Sequence, residues 1–172
     1  MPSADDLIVL IPVYEDWESL RVLLGMLDRE LRSAGLAARV AIVDDGSPSA
    51  APDDLFCGPG AAIAEVAVDP PPRHLAPQPA LAIGLAHIEA NVPCRAVVVM
   101  DGDGEDAPAV VPRLVARMDE LGDDKIVFAA RTRRSESLVF RAFYQLFRMV
   151  HYLLTGLGVR VGNFSVIPRR RL

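Results

Sequence analysis

Four acidic residues, Asp101, Asp103, Glu105 and Asp106, fall within six positions of the stretch "VVVMDGDGEDAP", directly after an apolar run. Like charges this close repel one another and are costly to desolvate unless a cation or a proton compensates. Three chemistries would account for them: a metal site, a phosphate-binding turn or a solvated loop. Gly102, Gly104 and Ala107 do match the G-x-G-x-x-A fingerprint of dinucleotide-binding turns. That turn binds pyrophosphate through bare backbone N–H groups, however, and here Asp103, Glu105 and Asp106 would set carboxylates against the phosphates.

Two other acidic patterns fit poorly. A phosphatase of the haloacid-dehalogenase type also opens with a strand and D-x-D-G, but it needs Thr or Val where Glu105 stands and a lysine motif downstream. The only lysine of the chain is Lys125. An EF-hand loop needs Gly at Asp106 and an acid at Pro112. What remains is a strand-end D-x-D that holds a divalent cation, Mg2+ or Mn2+, which in turn holds a diphosphate. Both are hard ions suited to carboxylate and phosphate oxygens. Because Asp101, Asp103 and Glu105 alternate, an extended turn could point all three toward one ion.

Elements that would position these acids follow from the hydrophobic pattern. The runs 7–11, 39–43, 63–68, 96–100 and 126–130 are short, β-branched and nearly continuous in apolar character, as strands covered on both faces should be. Trp17, Leu20, Leu23, Leu24, Leu27 and Leu31 keep helical spacing; Ala80, Leu81, Leu85 and Ile88 suggest a second helix. Val110, Leu114, Val115, Met118 and Leu121 suggest a third, opened near Asp106 and Pro108. Strand and helix alternating in this way predict an α/β fold with a mostly parallel sheet. Ligands of such sheets bind beyond the carboxyl ends of the strands, where the acidic stretch falls. Residues 69–79, "DPPPRHLAPQP", read as a loop over that edge.

The last third differs. From Leu138 to Leu154 nearly every residue is apolar except Arg141, Gln145, Arg148 and His151, one polar stripe on a broad hydrophobic helix. Two readings stay open: a core helix with one wet edge, or an amphipathic helix at a membrane interface or in a partner.

Composition sets the outer limits. The 172 residues suit a single domain, and 51% hydrophobic against 24% charged residues is globular rather than disordered. A net charge of −5 offers no general attraction to nucleic acid. Arginines nevertheless crowd the C-terminal quarter, including Arg131, Arg133, Arg134 and Arg169 to Arg171, which suggests an anionic partner there, such as a lipid phosphate or membrane surface. Cys57 and Cys94 have neither a CxxC pair nor metal-spaced histidines, so reduced cytosolic thiols are expected. No run reaches the roughly 18 apolar residues of a spanning helix, and the acids before Leu7 do not suit a signal peptide. A soluble or peripheral cytoplasmic protein is expected.

Two further motifs each follow an expected strand: "IPVYED" (Ile11 to Asp16) and "VDDGS" (Val43 to Ser47). With the D-x-D they resemble the family-2 glycosyltransferases of GT-A fold, and more narrowly the branch that transfers sugars to polyprenyl or dolichyl phosphate. That family carries P-x-Y-N-E, V-D-D-G-S and D-A-D-L-Q-D-P-P in this order, then an Arg-rich and a G-x-F segment. The counterparts here are Pro12 to Asp16, Val43 to Ser47, Asp101 to Pro108, Arg131 to Arg134 and Gly162 to Phe164, essentially the whole chain. The resemblance implies a single catalytic domain over residues 1–172, short or truncated at its C-terminal end.

It also implies roles. Pro12, Tyr14 and Asp16 would border the nucleotide base of a UDP- or GDP-sugar donor, with Asp44 bonding its ring or ribose and Asp45 and Asp101 beside it. Asp101, Asp103 and Glu105 would hold the metal, Glu105 where the family often has Gln. Arg131 and Arg134 would receive the phosphate of a lipid-phosphate acceptor, and guanidinium forks suit phosphate oxygens. Asn163 stands where the family often has Asp, an amide that positions an acceptor but supplies no base; a phosphate acceptor, already anionic, needs none. Inversion at the anomeric carbon is expected, with peripheral contact at the cytoplasmic membrane face. Exposed apolar surface on the 138–154 helix would favour a homo-oligomer. The chain departs from the family at Ala76 and Pro77, where relatives show Gly and His. That change motivates a second reading, a non-catalytic subunit that binds the nucleotide-sugar.

Overall fold

The structure, a computed structural model, describes residues 6–55, 62–69, 77–130 and 162–172. The expected 138–154 helix, Arg131, Arg134, Cys57 and residues 70–76 of the expected loop lie outside the described residues.

Strand β1 (Leu7–Val13) is followed by helix α1 (Trp17–Ser33), and β2 (Ala38–Asp44) by β3 (Ile63–Asp69). Then come α2 (Pro77–Asn91), β4 (Ala96–Val99), one turn of 3-10 helix at Pro108–Val110, α3 (Val111–Glu120), β5 (Val127–Phe128) and β6 (Ser165–Pro168). Among the described residues, these six strands form one sheet in the order β3-β2-β1-β4-β6-β5. Strands β1 to β4 are mutually parallel, with Val13 opposite Asp44 and Leu10 opposite Val99, while β6 runs antiparallel to both β4 and β5. The expected mostly parallel α/β sheet is therefore present.

Alternation along β1 explains the layering, because successive side chains of a strand point to opposite faces. Leu7, Val9, Ile11 and Val13 pack with the apolar stripe of α1 and with Val111, Leu114, Val115 and Met118 of α3. Ile8 and Leu10 turn to the other face, against Ala80 and Ile88 of α2. On that face Gly84 allows a close approach: a Cβ there would lie 2.8 Å from Val43 Cγ2 and 2.9 Å from Leu10 Cδ1.

Asp28 interrupts the apolar stripe of α1 and is buried in it. Its Oδ1 accepts from the N–H groups of Ala62 and Ile63, at 3.0 and 3.2 Å, and its Oδ2 from Arg32. Burial pushes this carboxyl upward, but the Ala62 N–H, the Arg32 guanidinium and the Ile63 N–H together outweigh it, and it titrates below its ordinary value.

Three expectations need correction. The loop expected to run to Pro79 ends sooner, because α2 starts at Pro77; prolines are tolerated in a first helical turn, whose N–H groups have no intrahelical partner. The strand expected over 126–130 is only Val127–Phe128, paired among the described residues with the four-residue β6. Two of the three C-terminal arginines serve the fold. Arg169 donates to the carbonyls of Ile88 and Glu89 in the last turn of α2 and of Val92 just beyond it, and Arg171 to Asp124. Carbonyls of a last helical turn lack intrahelical partners, which is what draws a guanidinium there. These contacts sit at the amino end of β4, where Arg169 N–H also bonds the Arg95 carbonyl, away from the acidic stretch.

Candidate functional site

Strand order reverses between β1 and β4: the chain winds from β1 outward through β2 and β3, then returns to the other side of β1. In open α/β sheets a crevice forms beyond the carboxyl ends of the strands at such a point. The segments after Val13, Asp44 and Val99 all open there. The antiparallel register of β6, Ser165 opposite Val99, brings Gly162 to Phe164 to the same edge. Ala129 N–H bonds the Phe164 carbonyl at 2.9 Å, so the residues just past β5 also lie at this edge.

The acidic stretch lies directly on the end of β1. A Cβ at Gly102 would come within 3.2 Å of Ile11 Cγ2 and of Val13 Cγ2, and 3.4 Å of the Pro12 carbonyl oxygen, a separation only glycine meets without displacing them. Gly104 turns the backbone at φ +80°. The four acids then divide. Asp106 is buried, and its Oδ2 accepts from the Asp101 N–H at 2.9 Å, which braces the turn from beneath. Asp103 and Glu105 are exposed and Asp101 is half-buried; Asp103 Oδ1 accepts from the Glu105 N–H at 2.8 Å. One acid is thus structural and three face outward or sideways, which accounts for so much negative charge in six positions. The three supply only carboxylate oxygens, the donor set that hard divalent ions take. Among the described residues, no three His, Cys, Asp or Glu side chains are gathered at ligating distance.

The segments after β1 and β2 run side by side. The parallel pairing continues past the sheet as Asp45 N–H to the Val13 carbonyl at 2.8 Å. Next, Glu15 N–H donates to Ser47 Oγ at 2.7 Å, and Trp17 Nε1–H to the carbonyl and hydroxyl oxygens of Ser49 at 3.2 and 3.1 Å. Asp44 Oδ1 accepts from the Ser47 N–H at 2.9 Å. Glu15 holds φ 56°, a left-handed conformation uncommon for a residue with a Cβ. Tyr14, 49% exposed, stands at the crest of this stitched pair. Asp16 caps α1, its Oδ1 accepting from the Ser19 N–H at 3.3 Å.

Pro12, Tyr14, Asp16, Asp44, Asp45, Asp101, Asp103, Glu105 and Asn163 thus lie along one edge of the sheet. Sequence reasoning passed over Ser47 and Ser49 as tethers and Asp106 as a brace. The available signal was their place: Ser47 closes "VDDGS", Ser49 follows it by two residues, and Asp106 lies within the acidic stretch.

Comparison with known proteins carries the resemblance further. Residues 8–171 match the model of "Glycosyl transferase family 2". The undecaprenyl-phosphate 4-deoxy-4-formamido-L-arabinose transferases of Salmonella paratyphi B and Salmonella newport are each 26% identical over 161 residues, covering 94% of this chain and 47% of theirs. The chain therefore spans about half the length of the curated relatives it matches. Among solved structures, S. aureus TarS 1-349 in complex with UDP-GlcNAc superposes with TM-score 0.57 at 14% identity, covering 95% of this chain and 45% of that one. TarS 1-349 alone gives TM-score 0.54 at 15% identity, over 77% of this chain and 38% of that one. Those likenesses establish the GT-A fold, and the family match, which runs through all three edge motifs to the C-terminal strand, establishes the lineage: the chain belongs to glycosyl transferase family 2.

Proposed function

We propose that this chain is the catalytic domain of a glycosyltransferase that moves a sugar from a nucleoside-diphosphate donor to a polyprenyl-phosphate-type lipid acceptor, with inversion and with help from Mg2+ or Mn2+. The observation that carries the reading is the meeting of three motif-bearing segments at one switch point in a chain of this family. The relatives' names support the lipid phosphate, and the UDP-GlcNAc complex of the structural neighbour supports a nucleotide-sugar.

In this reading Tyr14 and the Pro12 backbone border the base and Asp44 bonds it. Asp101, Asp103 and Glu105 would hold the ion, which would supply the positive charge that offsets the charge developing on a departing diphosphate. Asp106, through the Asp101 N–H, keeps that turn in place. Arg131 and Arg134 take the acceptor phosphate and Asn163 orients it. A phosphate oxygen is already anionic, so attack on the anomeric carbon asks no proton of a protein base. Membrane contact through residues 138–154, at the cytoplasmic face, is proposed from the sequence pattern alone.

The test is transfer of radiolabelled sugar from UDP- or GDP-sugars to undecaprenyl phosphate in detergent, with and without chelator. Asp103→Asn is expected to lower turnover by at least about 100-fold, the scale of a lost transition-state charge contact, with the circular-dichroism spectrum unchanged. Undiminished transfer by that variant in chelator would refute the role of the ion. Nucleotide binding with no transfer to any acceptor would favour the binding-subunit reading.

A further inference from the structure

The tethers between the segments after β1 and β2 repeat with a fixed step. Residues 13, 15 and 17 bond residues 45, 47 and 49, the first through backbone, the second through a backbone N–H to a hydroxyl, the third through an indole N–H. Only the middle tether holds a residue in a disfavoured conformation. Glu15 has φ 56°, and the group that accepts from its N–H is the Ser47 hydroxyl. Ser47 in turn gives its own N–H to Asp44 Oδ1. One serine therefore links the carboxylate at the end of β2 to the strained residue that lies between Tyr14 and Asp16. Strained backbone persists only where its surroundings over-determine it, and such places cluster at ligand sites.

We infer that Ser47 is a positioning residue for the nucleotide: its hydroxyl latches Glu15 in the left-handed conformation and so sets Tyr14 and Asp44 at the spacing that receives a base. The inference rests on the donor reading above and deepens it. Without the hydroxyl, the Glu15 N–H loses its acceptor and the residue relaxes toward an ordinary φ, which swings the Tyr14 ring out of register with Asp44. The Val13–Asp45 and Trp17–Ser49 tethers keep the rest of the pair together, so the loss is local.

The experiment compares the wild-type chain with Ser47→Ala and with Ser47→Thr, which retains an acceptor oxygen. Two readouts are taken: hydrogen exchange at the amides of residues 9 to 17, and titration with UDP and GDP in Mn2+, followed by the emission of Trp17, the chain's only tryptophan. In Ser47→Ala the Glu15 amide is expected to exchange at least about tenfold faster while the amides of β1 keep their protection. Nucleotide Kd rises about tenfold, the scale on which supporting hydrogen bonds act, and Ser47→Thr restores both. Wild-type Kd in Ser47→Ala, in a chain that does bind nucleotide, overturns this inference and leaves the donor reading standing. Loss of protection spread evenly through β1 also overturns it, since Ser47 would then serve the fold at large. A wild-type chain that binds neither UDP nor GDP refutes the donor reading and the inference together.

Discussion

Replacing Asp28 with alanine removes one side chain and orphans two backbone donors. The N–H groups of Ala62 and Ile63 both end on Asp28 Oδ1, and both residues are buried, at 2% and 4% exposure, so water cannot replace the lost acceptor. Each buried unsatisfied donor costs about 1–3 kcal/mol. Alanine returns some of this, as a better helix former by about 0.5 kcal/mol and by relieving a buried carboxylate of its desolvation. The Arg32 partner, half exposed, is rehydrated at little cost. A net loss of about 2–4 kcal/mol is expected, and about 1–2 for Asp28→Asn, whose amide oxygen still accepts from a backbone N–H. Urea denaturation at pH 7, followed by circular dichroism, measures both. The sign of the pH effect is also set. With its folded-state pKa depressed, Asp28 contributes stability that is fully present above its unfolded value near 3.8 and is lost as pH falls through the folded value. Wild-type stability should therefore fall with acid below about pH 4 more steeply than that of Asp28→Asn. Asp54, whose carboxyl is held low by the Arg21 guanidinium, titrates in the same window, so the comparison belongs in an Asp54→Asn background. An Asp28→Ala chain within about 0.5 kcal/mol of wild type would refute the bridge between α1 and β3.

Two further substitutions probe the site's supports. Gly84→Ala improves helix propensity by about 1 kcal/mol, yet its Cβ would press on Val43 and Leu10 at under 3 Å. Overpacking should win and destabilise by about 1–2 kcal/mol, read as a lower urea midpoint at unchanged slope; a more stable variant would show that α2 can lift off the sheet freely. Glu15→Asn places at φ 56° a residue that tolerates the left-handed region and should gain about 0.5–1 kcal/mol in the same assay, with the Ser47 bond kept. Loss of stability would mean that the glutamate side chain offsets its own backbone strain.

Five of the six strands among the described residues were legible in the sequence as short apolar runs, most clearly β1 and β4, which are almost wholly buried and so read as unbroken ones, while β5 proved shorter than its run. Strand β6 was not, because "SVIP" is four residues with a polar start and a proline end, and its partners lie far away in the chain. Its side-chain pattern carries no period that would reveal them. In the site, the motifs could be located because each follows a strand, but the direction in which each side chain bonds could not. Whether Asp106 turns under its loop or outward depends on the turn made at Gly104, and the capping by Asp16 depends on where α1 begins. Asp28 did leave a trace: an acid four residues after Leu24 and three before Leu31 sits on the core stripe of α1, where only a paired carboxylate is tolerated.

The insertion of β6 between β4 and β5 has a temporal consequence. Strand β4, every residue of it buried in the finished sheet, pairs with β1 on one side and must wait for Ser165–Pro168 on the other. About 65 residues separate the two, so at about 5–20 residues per second the ribosome leaves that apolar edge open for several seconds. Among the described residues, β5 likewise joins the sheet only through β6. During synthesis the nascent chain thus carries an unprotected hydrophobic strand edge beside the future site, the kind of edge that recruits other chains or a chaperone. Among the described residues, the strand furthest along the chain is the one that closes it.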